Sequence, residues 1–394
     1  MNPLPQIGLI ADDFTGAMDS GAQFSYSPLN VHFRFSGQPA EDVEIISTAS
    51  REMNEMEARA RTGAACRLLH GRQLFKKIDS TLRGHIAAEI EAALADCPQY
   101  GKAVICSAAP QQGRTIRNGV LQVDGLPLAH TAFKDDPVYP ARTSEVAELI
   151  GRPVAQISLE QVRGNPAQMA CAIRESAEAL VCADAETEAD LLNLARAICL
   201  AQALPCGSFG LAKAFLAALD VPTLHPVPFS LRGRVLLLAG SANRMTRAQI
   251  GRLEAHPECC ILRLGGTPDI ASLRRSLNQV SPEKHIFVLC ADQDRTVRSP
   301  EWLRFGKTVS ETALELLDAI RPETVFGIGG ETVAYFCQLL QTGSIEILGE
   351  SAPGIPFGRM HSGRLSRKTL ITKAGGFGRV DSLESILFPE GIFQ

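Results

Sequence analysis

Short apolar runs alternate along the chain with longer segments whose apolar positions recur every three or four residues. The short runs predict buried strands, and the longer segments predict amphipathic helices. This βαβ order indicates an α/β fold in which a mostly parallel sheet carries helices on both faces. In the N-terminal part the predicted strands are residues 6–10, 44–47, 73–78, 102–106, 154–157 and 179–183, and the predicted helices are residues 54–69, 83–94 and 189–203.

A proline-rich segment separates two series of such elements. Residues 221–229 hold three prolines in nine positions, and proline favours extended chain, which is typical of a linker. Predicted strands recur afterwards at residues 234–239, 285–290, 324–328 and 368–372. A chain of 394 residues is too long for one ordinary core. We therefore predict an N-terminal domain of residues 1–222, a linker of residues 223–233 and a C-terminal domain of residues 234–394.

Composition narrows the class of protein. Hydrophobic residues make up 45% and charged residues 21%, as in a soluble enzyme. The net charge is −4 without a long basic run, so we expect neither nucleic acid nor a membrane as partner. No apolar stretch approaches the ~20 residues of a bilayer span, and no basic signal-peptide region opens the chain. We therefore expect a cytoplasmic protein.

Cysteine and histidine spacing does not predict a metal site. The eleven cysteines include no CxxC pair, and the eight histidines include no HExxH motif. This usage indicates free thiols in a reducing compartment. The sequence therefore assigns no metal ligands.

Two adjacent carboxylates follow the first predicted strand. Asp12 and Asp13 come directly after it, and Thr15 and Gly16 open the next segment. In open α/β sheets, ligands bind beyond the carboxyl ends of the strands. One carboxylate could accept a hydroxyl proton while the other holds Mg²⁺; alternatively, Asp13 or Thr15 only caps a helix. The Asp-x-Asp of the commonest phosphatase design is absent, because Phe14 stands at its second position.

Cations follow the neighbouring predicted strands. Lys77, Asp79 and Arg83 surround the end of the strand at residues 73–78, Arg51 follows another strand, and Arg114 lies in a later loop. Arginine binds carboxylates in bidentate fashion, so these residues predict a site for an anionic substrate. The structural alternative is a helix cap at Asp79 surrounded by solvated cations.

Three glycine-containing strand ends occur in the C-terminal part. Such turns offer backbone N–H groups and helix N-termini to phosphates, which indicates a nucleotide site. None fits GxxxxGK[ST] or a complete GxGxxG motif, and each glycine alone could simply punctuate a turn. The three are Gly240-Ser241, Gly329-Gly330-Glu331-Thr332 before a predicted helix at residues 333–340, and Gly375-Gly376.

Together these motifs resemble the four-carbon acid sugar kinases. They occur in the order of that family and span nearly the whole chain. The family usually has Asp where Glu331 stands and Ser-Gly-Asn where Ala374-Gly-Gly376 stands. The matching segments are Ile10-Ala-Asp-Asp-Phe-Thr-Gly-Ala17, Lys76-Lys-Ile-Asp-Ser-Thr-Leu-Arg-Gly84, Gly113-Arg-Thr115, Asp136-Pro137, Gly240-Ser241, Gly329-Gly-Glu-Thr332, Pro356-Phe-Gly358 and Lys373 to Gly378.

The resemblance implies an N-terminal domain that binds threonate, erythronate or an oxo-tetronate, and a C-terminal domain that binds ATP with Mg²⁺. It implies an active site in the cleft between the domains and a 4-phosphate product. The sugar-acid side would comprise Asp12, Asp13, Arg51, Lys77, Asp79 and Arg83, and the nucleotide side Ser241, Gly329, Gly330, Glu331, Thr332 and Gly375 or Gly376.

For the mechanism we predict that the substrate carboxylate pairs with one or two of Arg51, Arg83 and Arg114. A carboxylate among Asp12, Asp13 and Asp79 orients the terminal hydroxyl and accepts its proton, while Lys77 neutralises charge on the transferred group. Two alternatives stay open: a phosphatase for a related sugar-acid phosphate, and an inactive protein that only binds a sugar acid or a nucleotide. The expected partners are the sugar acid and ATP, with a homodimer as a common assembly.

Overall fold

The computed structural model describes residues 4–136, 139–241, 243–265, 268–292 and 301–389. Pro137 of the Asp136-Pro137 motif lies outside the described residues. The chain divides into two compact units. Unit 1 comprises Met1–Phe33 and Gln38–His225, and unit 2 comprises Arg34–Gly37 and Pro226–Gln394.

Unit 1 is built on parallel strands. Its strands are β1 (Ile7–Ala11), β2 (Val31–Arg34), β3 (Val43–Ser47), β4 (Gln73–Lys77), β5 (Ala103–Cys106), β6 (Arg114–Arg117), β7 (Val120–Val123), β8 (Leu126–Pro127), β9 (Ala155–Ile157), β10 (Leu180–Ala183) and β11 (Leu204–Gly207). Strands β2-β3-β1-β4-β11-β5-β10-β9 pair in parallel in that order. Strands β6, β7 and β8 form a small antiparallel sheet.

The helices of unit 1 pack in two groups. Helix α2 packs against α3, and helices α1, α8, α7 and α6 pack against one another in that order. Right-handed crossovers between parallel strands place the connecting helices on the two faces of a sheet in this way. The helices are α1 (Phe14–Phe24), α2 (Glu55–Leu68), α3 (Ile86–Asp96), α4 (Val146–Ile150), α5 (Leu159–Val162), α6 (Pro166–Glu175), α7 (Glu188–Ala201) and α8 (Phe209–Ala218), with short 3₁₀ turns at Pro110–Gln112, Leu128–His130 and Ala132–Asp135.

Polar caps explain where the long helices begin. Asn54 and Glu57 form a capping box at α2, and Thr187 and Asp190 form one at α7. The helix predicted at residues 83–94 is wrong at its start, because the chain turns before α3 begins. Leu82 has φ +61° and Gly84 has φ +95°, so Arg83 lies in a turn and not in a helix.

A tight hairpin places the small sheet of unit 1. The turn between β6 and β7 uses Asn118 and Gly119, whose φ angles of +53° and +74° suit a two-residue hairpin. The fully buried carboxylate of Asp184 accepts their N–H groups at 2.8 and 3.0 Å. Because Asp184 directly follows β10, this contact ties the hairpin that begins with Arg114 to the parallel sheet.

Unit 2 contains a second mostly parallel arrangement. Its strands are β12 (Val235–Ala239), β13 (Cys259–Leu264), β14 (Ile286–Ala291), β15 (Thr324–Ile328), β16 (Ser344–Ala352), β17 (Ile355–His361) and β18 (Thr369–Lys373). Strands β13-β14-β12-β15-β18 pair in parallel, and β17 and β16 extend them in antiparallel fashion. The predicted α/β class with mostly parallel sheets and flanking helices is confirmed.

The helices of unit 2 cover both faces of its strands. They are α9 (Arg244–Leu253), α10 (Ile270–Asn278), α11 (Glu301–Ile320), α12 (Gly330–Leu339) and α13 (Ser382–Leu387). Helix α9 packs with α13, whereas α10, α11 and α12 pack side by side. The core between them consists of apolar strand residues such as Leu237, Val288, Phe326 and Ile371.

In the described part of the chain, no helix is both long enough and apolar enough to cross a bilayer.

Candidate active site

The carboxyl ends of three adjacent strands bring charged side chains together in unit 1. Asp12 and Asp13 follow β1, Arg51 follows β3, and Asp79 lies two residues beyond β4. Strands β3, β1 and β4 are parallel neighbours, so their carboxyl ends share one edge. We call Asp12, Asp13, Arg51, Asp79 and Arg83 the unit 1 cluster.

Arg51 joins the carboxylates of this cluster. Its Nε lies 2.7 Å from Asp12 Oδ2, and its Nη2 lies 3.0 Å from Asp12 Oδ1 and 2.9 Å from Asp13 Oδ1. Nη2 also lies 3.6 Å from Asp79 Oδ1. Burial opposes the charge of Arg51, but Asp12 and Asp13 outweigh it and hold its pKa well above the ordinary value. Arg51 is therefore committed to carboxylates of the protein itself.

Asp79 and Arg83 form a bidentate pair. Arg83 Nε and Nη2 donate to Asp79 Oδ2 and Oδ1 at 2.8 and 2.9 Å. The backbone N–H and Oγ1 of Thr81 also donate to Asp79 Oδ2, at 3.1 and 2.6 Å. Burial alone would raise the pKa of Asp79, but Arg83 and Arg51 hold it well below its usual range. Asp79 is thus an ionised carboxylate whose oxygens already accept several hydrogen bonds.

Asp13 is the most exposed carboxylate of the cluster. Its side chain is 22% exposed, against 4% for Asp12 and 9% for Asp79. It caps α1, because Oδ1 accepts from the N–H of Gly16 at 3.1 Å and Oδ2 from Thr15 Oγ1 at 2.5 Å. Burial alone would raise the pKa of Asp13, but the charges of Arg51 and Lys77 outweigh burial and hold the pKa below its ordinary value. The same carboxylate therefore caps a helix and faces solvent.

Lys77 approaches the cluster from the end of β4. The residue is buried, and its Nζ donates to the carbonyl of Ile78 at 2.9 Å. A Cβ on Gly16 would lie 2.9 Å from this Nζ, so glycine at the start of α1 leaves room for the ammonium. Within the described ranges, no carboxylate forms an ion pair with Lys77. The ammonium of Lys77 thus acts on Asp13 through its charge without forming an ion pair with it.

Arg114 differs from Arg51 and Arg83, because no carboxylate of the described residues forms an ion pair with it. Its Nη1 donates to the carbonyl of Gln112, and its Nε is buried without a hydrogen-bond partner. Burial lowers the pKa of Arg114, while the charges of Asp124 and, to a smaller extent, Asp79 oppose that effect. A buried donor left without a partner costs about 1–3 kcal/mol. Arg114 is thus a partly exposed residue whose Nε has no acceptor among the described residues.

A buried ion pair beside the cluster escaped prediction from the sequence. Lys76 Nζ lies 2.7 Å from Glu89 Oε2, and Ser50 Oγ donates to Glu89 Oε1 at 2.5 Å. The N–H of Ser50 in turn donates to the carbonyl of Asp12 at 3.0 Å. Because Ser50 precedes Arg51, this network fixes the loop that carries the central arginine. The available signal was a lysine directly after the apolar residues Leu74 and Phe75 of β4, and a buried lysine requires a partner.

Unit 2 contains a cavity of about 260 Å³ at the carboxyl ends of β12 and β15. These strands are parallel neighbours, and they lead into α9 and α12, which belong to different helix groups. Ligands of open α/β sheets bind at such a switch point. The lining includes five of the predicted nucleotide residues, namely Ser241, Gly329, Gly330, Glu331 and Thr332.

Glycine geometry keeps this cavity open. Gly329 precedes the first turn of α12 with φ +100°, a conformation that side chains disfavour. A Cβ on Gly240 would overlap the hydroxyl of Thr332. The N-terminus of the ten-residue α12 and the hydroxyl of Ser241 therefore line the same cavity, with only glycine backbone between them. Such a helix end favours phosphate groups.

Helix α11 supplies cavity residues that the sequence did not indicate. Gly306, Lys307 and the α12 residue Tyr335 line the cavity. A Cβ on Gly306 would lie 2.6 Å from Thr332 Oγ1, so this glycine allows α11 and α12 to approach each other. Lys307 Nζ lies 5.4 Å from the centre of the Tyr335 ring. A glycine inside a 20-residue helix was the one usable signal.

The third predicted glycine loop lies beside Ser241. A Cβ on Gly375 would overlap the Ser241 side chain, and one on Gly376 would lie 3.0 Å from Asn243 Nδ2. The loop follows Lys373, a fully buried residue at the end of β18. Burial lowers the pKa of Lys373 to about 8. No pattern in the sequence predicted a buried cation at this position.

Oxygen donors that suit Mg²⁺ occur at the unit 2 cavity. Among the described residues, no group of three or more His, Cys, Asp or Glu side chains is placed to hold a metal ion. The cavity lining does contain the carboxylate of Glu331 and the hydroxyls of Ser241 and Thr332. Mg²⁺ commonly takes one or two protein oxygens and completes its shell with phosphates and water. The donor set therefore fits a Mg²⁺ ion that arrives with a nucleotide.

Known proteins match this chain over both units. Residues 7–215 match a family described as the sugar-binding N-terminal domain, and residues 236–383 match one described as the nucleotide-binding C-terminal domain. The D-threonate kinase of Bordetella bronchiseptica is 31% identical over 400 residues, which cover 96% of each chain. The 3-oxo-tetronate kinase of Burkholderia multivorans is 29% identical over 424 residues, which cover 97% of each chain.

A solved structure shows the same fold. It is a Haemophilus influenzae protein from a family of unknown function, with a TM-score of 0.74 and 23% identity. The alignment covers 98% of this chain and 100% of that one.

Proposed function

Because the chain belongs to the four-carbon acid sugar kinase family, whose members are phosphotransferases with an alcohol acceptor, we propose that it transfers phosphate from ATP to the terminal hydroxyl of threonate, erythronate or an oxo-tetronate. The product is the 4-phosphate. The observation that carries this choice of acceptor is Arg114, whose partly exposed side chain lies beside the unit 1 cluster and forms no ion pair with a carboxylate of the described residues.

The carboxylate of the sugar acid pairs with Arg114. Arg51 and Arg83 were equally good candidates in the sequence, but their guanidinium groups already bind Asp12, Asp13 and Asp79. Arg114 lacks such a pair, and its Nε needs an acceptor. A ligand carboxylate would satisfy that donor and restore a charge-assisted bond.

The terminal hydroxyl is oriented by Asp13. Of the three carboxylates it is the most exposed, and the lowered pKa keeps it ionised at neutral pH. An ionised carboxylate accepts a hydrogen bond from the hydroxyl and then its proton. Phosphoryl transfer depends more on position and charge than on a strong base, so a lowered pKa suits this role. Lys77, adjacent to Asp13, neutralises negative charge on the transferred group.

ATP binds the unit 2 cavity. The N-terminus of α12 and the hydroxyl of Ser241 face its phosphates, and Lys307 adds positive charge. Mg²⁺ supplies charge neutralisation at the phosphates when bound, and Glu331 with Thr332 provides protein oxygens for it. Transfer requires the terminal phosphate held by unit 2 to reach the hydroxyl held by unit 1.

The test is an ADP-release assay with Mg-ATP and a panel of both threonates, both erythronates and their oxo forms. We expect turnover with at least one of these acids. Replacement of Arg114 by methionine should raise the KM for that acid by about 10- to 100-fold, the range for losing a hydrogen bond to a charged group. The KM for ATP should stay unchanged.

Arg117→Met is the matched control for this variant. Arg117 ends the same strand, and its exposed side chain pairs with Glu186 at the surface. It should leave both KM values unaltered. No turnover across the panel would refute the proposed acceptor, and an unchanged KM in Arg114→Met would refute the role of Arg114.

A further inference from the structure

Three fully buried polar side chains hold the carbonyl groups of the loop that follows β18. Lys373 Nζ donates to the carbonyls of Ala374 at 2.9 Å, Gly375 at 3.4 Å and Phe377 at 3.0 Å. Thr246 Oγ1, on α9, donates to the Gly375 carbonyl at 2.6 Å. From the same helix, Gln249 Nε2 donates to the carbonyls of Phe377 and Arg379 at 3.2 and 2.7 Å.

The geometry of the peptide bond turns these contacts into a direction for the loop N–H groups. In a planar trans peptide, the carbonyl and the N–H of the next residue point in opposite directions. The carbonyls of Ala374, Gly375 and Phe377 point toward the buried ammonium. The N–H groups of Gly375, Gly376 and Gly378 must therefore point away from it.

Two of these N–H groups belong to glycines that pack against Ser241 and Asn243. Gly375 and Gly376 have no acceptor for their N–H groups in the part of the chain that the structure describes. Gly375 lies against the Ser241 side chain, since a Cβ there would overlap it. Ser241 also lines the cavity at β12 and β15. Consecutive free N–H groups of this kind form a concave site for anions.

Lys373 itself is saturated by these contacts. An ammonium has three donors, and three carbonyls of the loop accept from Nζ. The residue has no exposed surface. Its charge therefore acts on the backbone of the loop and cannot also contact a ligand directly.

We propose that Lys373 is a positioning residue, which draws the carbonyls of Ala374, Gly375 and Phe377 inward and so presents the N–H groups of Gly375 and Gly376 to the phosphates of the nucleotide. Thr246 and Gln249 complete this clamp from α9. The inference rests on the proposed binding of ATP by unit 2. It assigns the task of shaping that loop to a buried lysine which does not touch the ligand.

Lys373→Met tests the clamp, since methionine keeps much of the side-chain length but donates no hydrogen bond. Two quantities are measured: exchange of the peptide containing residues 374–381 by hydrogen–deuterium mass spectrometry without nucleotide, and the KM values for ATP and the sugar acid. We expect faster exchange, because the Phe377 N–H to Ala374 carbonyl bond of the loop loosens. We expect at least about a tenfold rise in the KM for ATP, because charge-assisted bonds that order the loop are lost, with no change in the KM for the acid.

Thr372→Val is the matched control, because Thr372 is buried in the same strand and its Oγ1 has no partner among the described residues. It should alter neither quantity. Thr246→Val removes one donor to Gly375 without removing a charge, and it should show the same pattern on a smaller scale. This second variant keeps the test decisive if Lys373→Met does not fold.

Two outcomes would overturn the proposal. Unchanged exchange in both loop variants would mean that the clamp does not hold the loop. Faster exchange with an unaltered KM for ATP would mean that the ordered loop does not serve the nucleotide. Failure of the proposed kinase function looks different, because the unmodified protein would then release no ADP with any acid of the panel.

Discussion

Replacement of Lys76 by methionine removes one partner of the buried ion pair with Glu89 and leaves the other in place. The side chains are 1% and 2% exposed, and Nζ lies 2.7 Å from Oε2. After the change, the Glu89 carboxylate keeps the Ser50 hydroxyl as a side-chain donor. A carboxylate in this position is neither solvated nor paired, which makes the variant a sharp test of how the pair stabilises unit 1.

The size of the effect follows from that burial. Removing one partner of a buried pair costs about 3–5 kcal/mol. With a urea slope of about 2–3 kcal/mol/M, a loss of about 4 kcal/mol lowers the unfolding midpoint by about 1.3–2 M. The double variant Lys76→Met with Glu89→Leu leaves no buried charge behind. Apolar replacement of both partners is often neutral or stabilising, so the double variant should be more stable than the single one.

The assay has to report on unit 1 separately, because a chain with two units does not unfold in one step. Buried cysteines provide the probes. Cys106 lies in β5 of unit 1 and Cys337 in α12 of unit 2, and both are free and fully inaccessible in the fold. Urea-dependent thiol labelling read by mass spectrometry gives a midpoint for each. Lys76→Met should shift the Cys106 midpoint and leave that of Cys337 in place.

Two results would refute this reasoning. An unchanged Cys106 midpoint in Lys76→Met would mean that the pair contributes no net stability. A double variant as unstable as the single one would mean that lost packing, and not the stranded carboxylate, causes the effect. The double variant should also bind the sugar acid more weakly, since Ser50 loses its anchor on Glu89 next to Arg51.

Two further predictions address each unit in turn. Because its folded pKa is depressed, Asp79 contributes stability that is present above the ordinary carboxyl pKa of about 4 and is lost as the pH falls below it. Between pH 6 and about 3, the urea midpoint of Cys106 labelling should therefore fall less in Asp79→Asn than in the unmodified protein. An equal fall of the midpoint in both proteins would contradict this. Gly240→Ala should weaken ATP binding by about tenfold or more in calorimetry, because its Cβ overlaps the Thr332 hydroxyl and overpacking costs about 1–3 kcal/mol. Gly251→Ala, which meets no atom within 4 Å, is the control and should bind ATP normally.

Hydrophobic pattern predicted ten strands but missed others with mixed composition, one of them the central strand β11. All ten predicted strands lie on strands of the structure, because continuous apolar runs are typical of buried parallel strands. Strand β11 escaped, since Pro205 and Gly207 within four residues are typical of a turn. Strands β16 and β17 escaped because they are antiparallel, partly exposed and contain Gly349 and Gly358.

The sequence indicated which segments lie together more readily than it assigned roles to their residues. The strand ends that it singled out in unit 1 meet in the structure, because the parallel order of a sheet brings those ends to one edge. Which arginine is available for a ligand could not be read in this way. Arg51, Arg83 and Arg114 have the same chemistry, and only the folded chain shows that two of them are occupied by carboxylates. Likewise, Gly306 matters through its close approach to Thr332, which is distant along the chain.

The pairing inside unit 1 also bears on the kind of anion that the site can accept. Asp12, Asp13 and Asp79 already share the guanidinium groups of Arg51 and Arg83. A ligand therefore meets cationic groups not yet bound to carboxylates at Arg114 and Lys77. If Arg114 takes the ligand carboxylate and Lys77 attends the transferred phosphate, a second carboxylate on the ligand would face only aspartates. Hydroxyl groups, in contrast, can donate to those aspartates. This arrangement favours an acid with one carboxylate and several hydroxyls, which is the chemistry of the proposed acceptor.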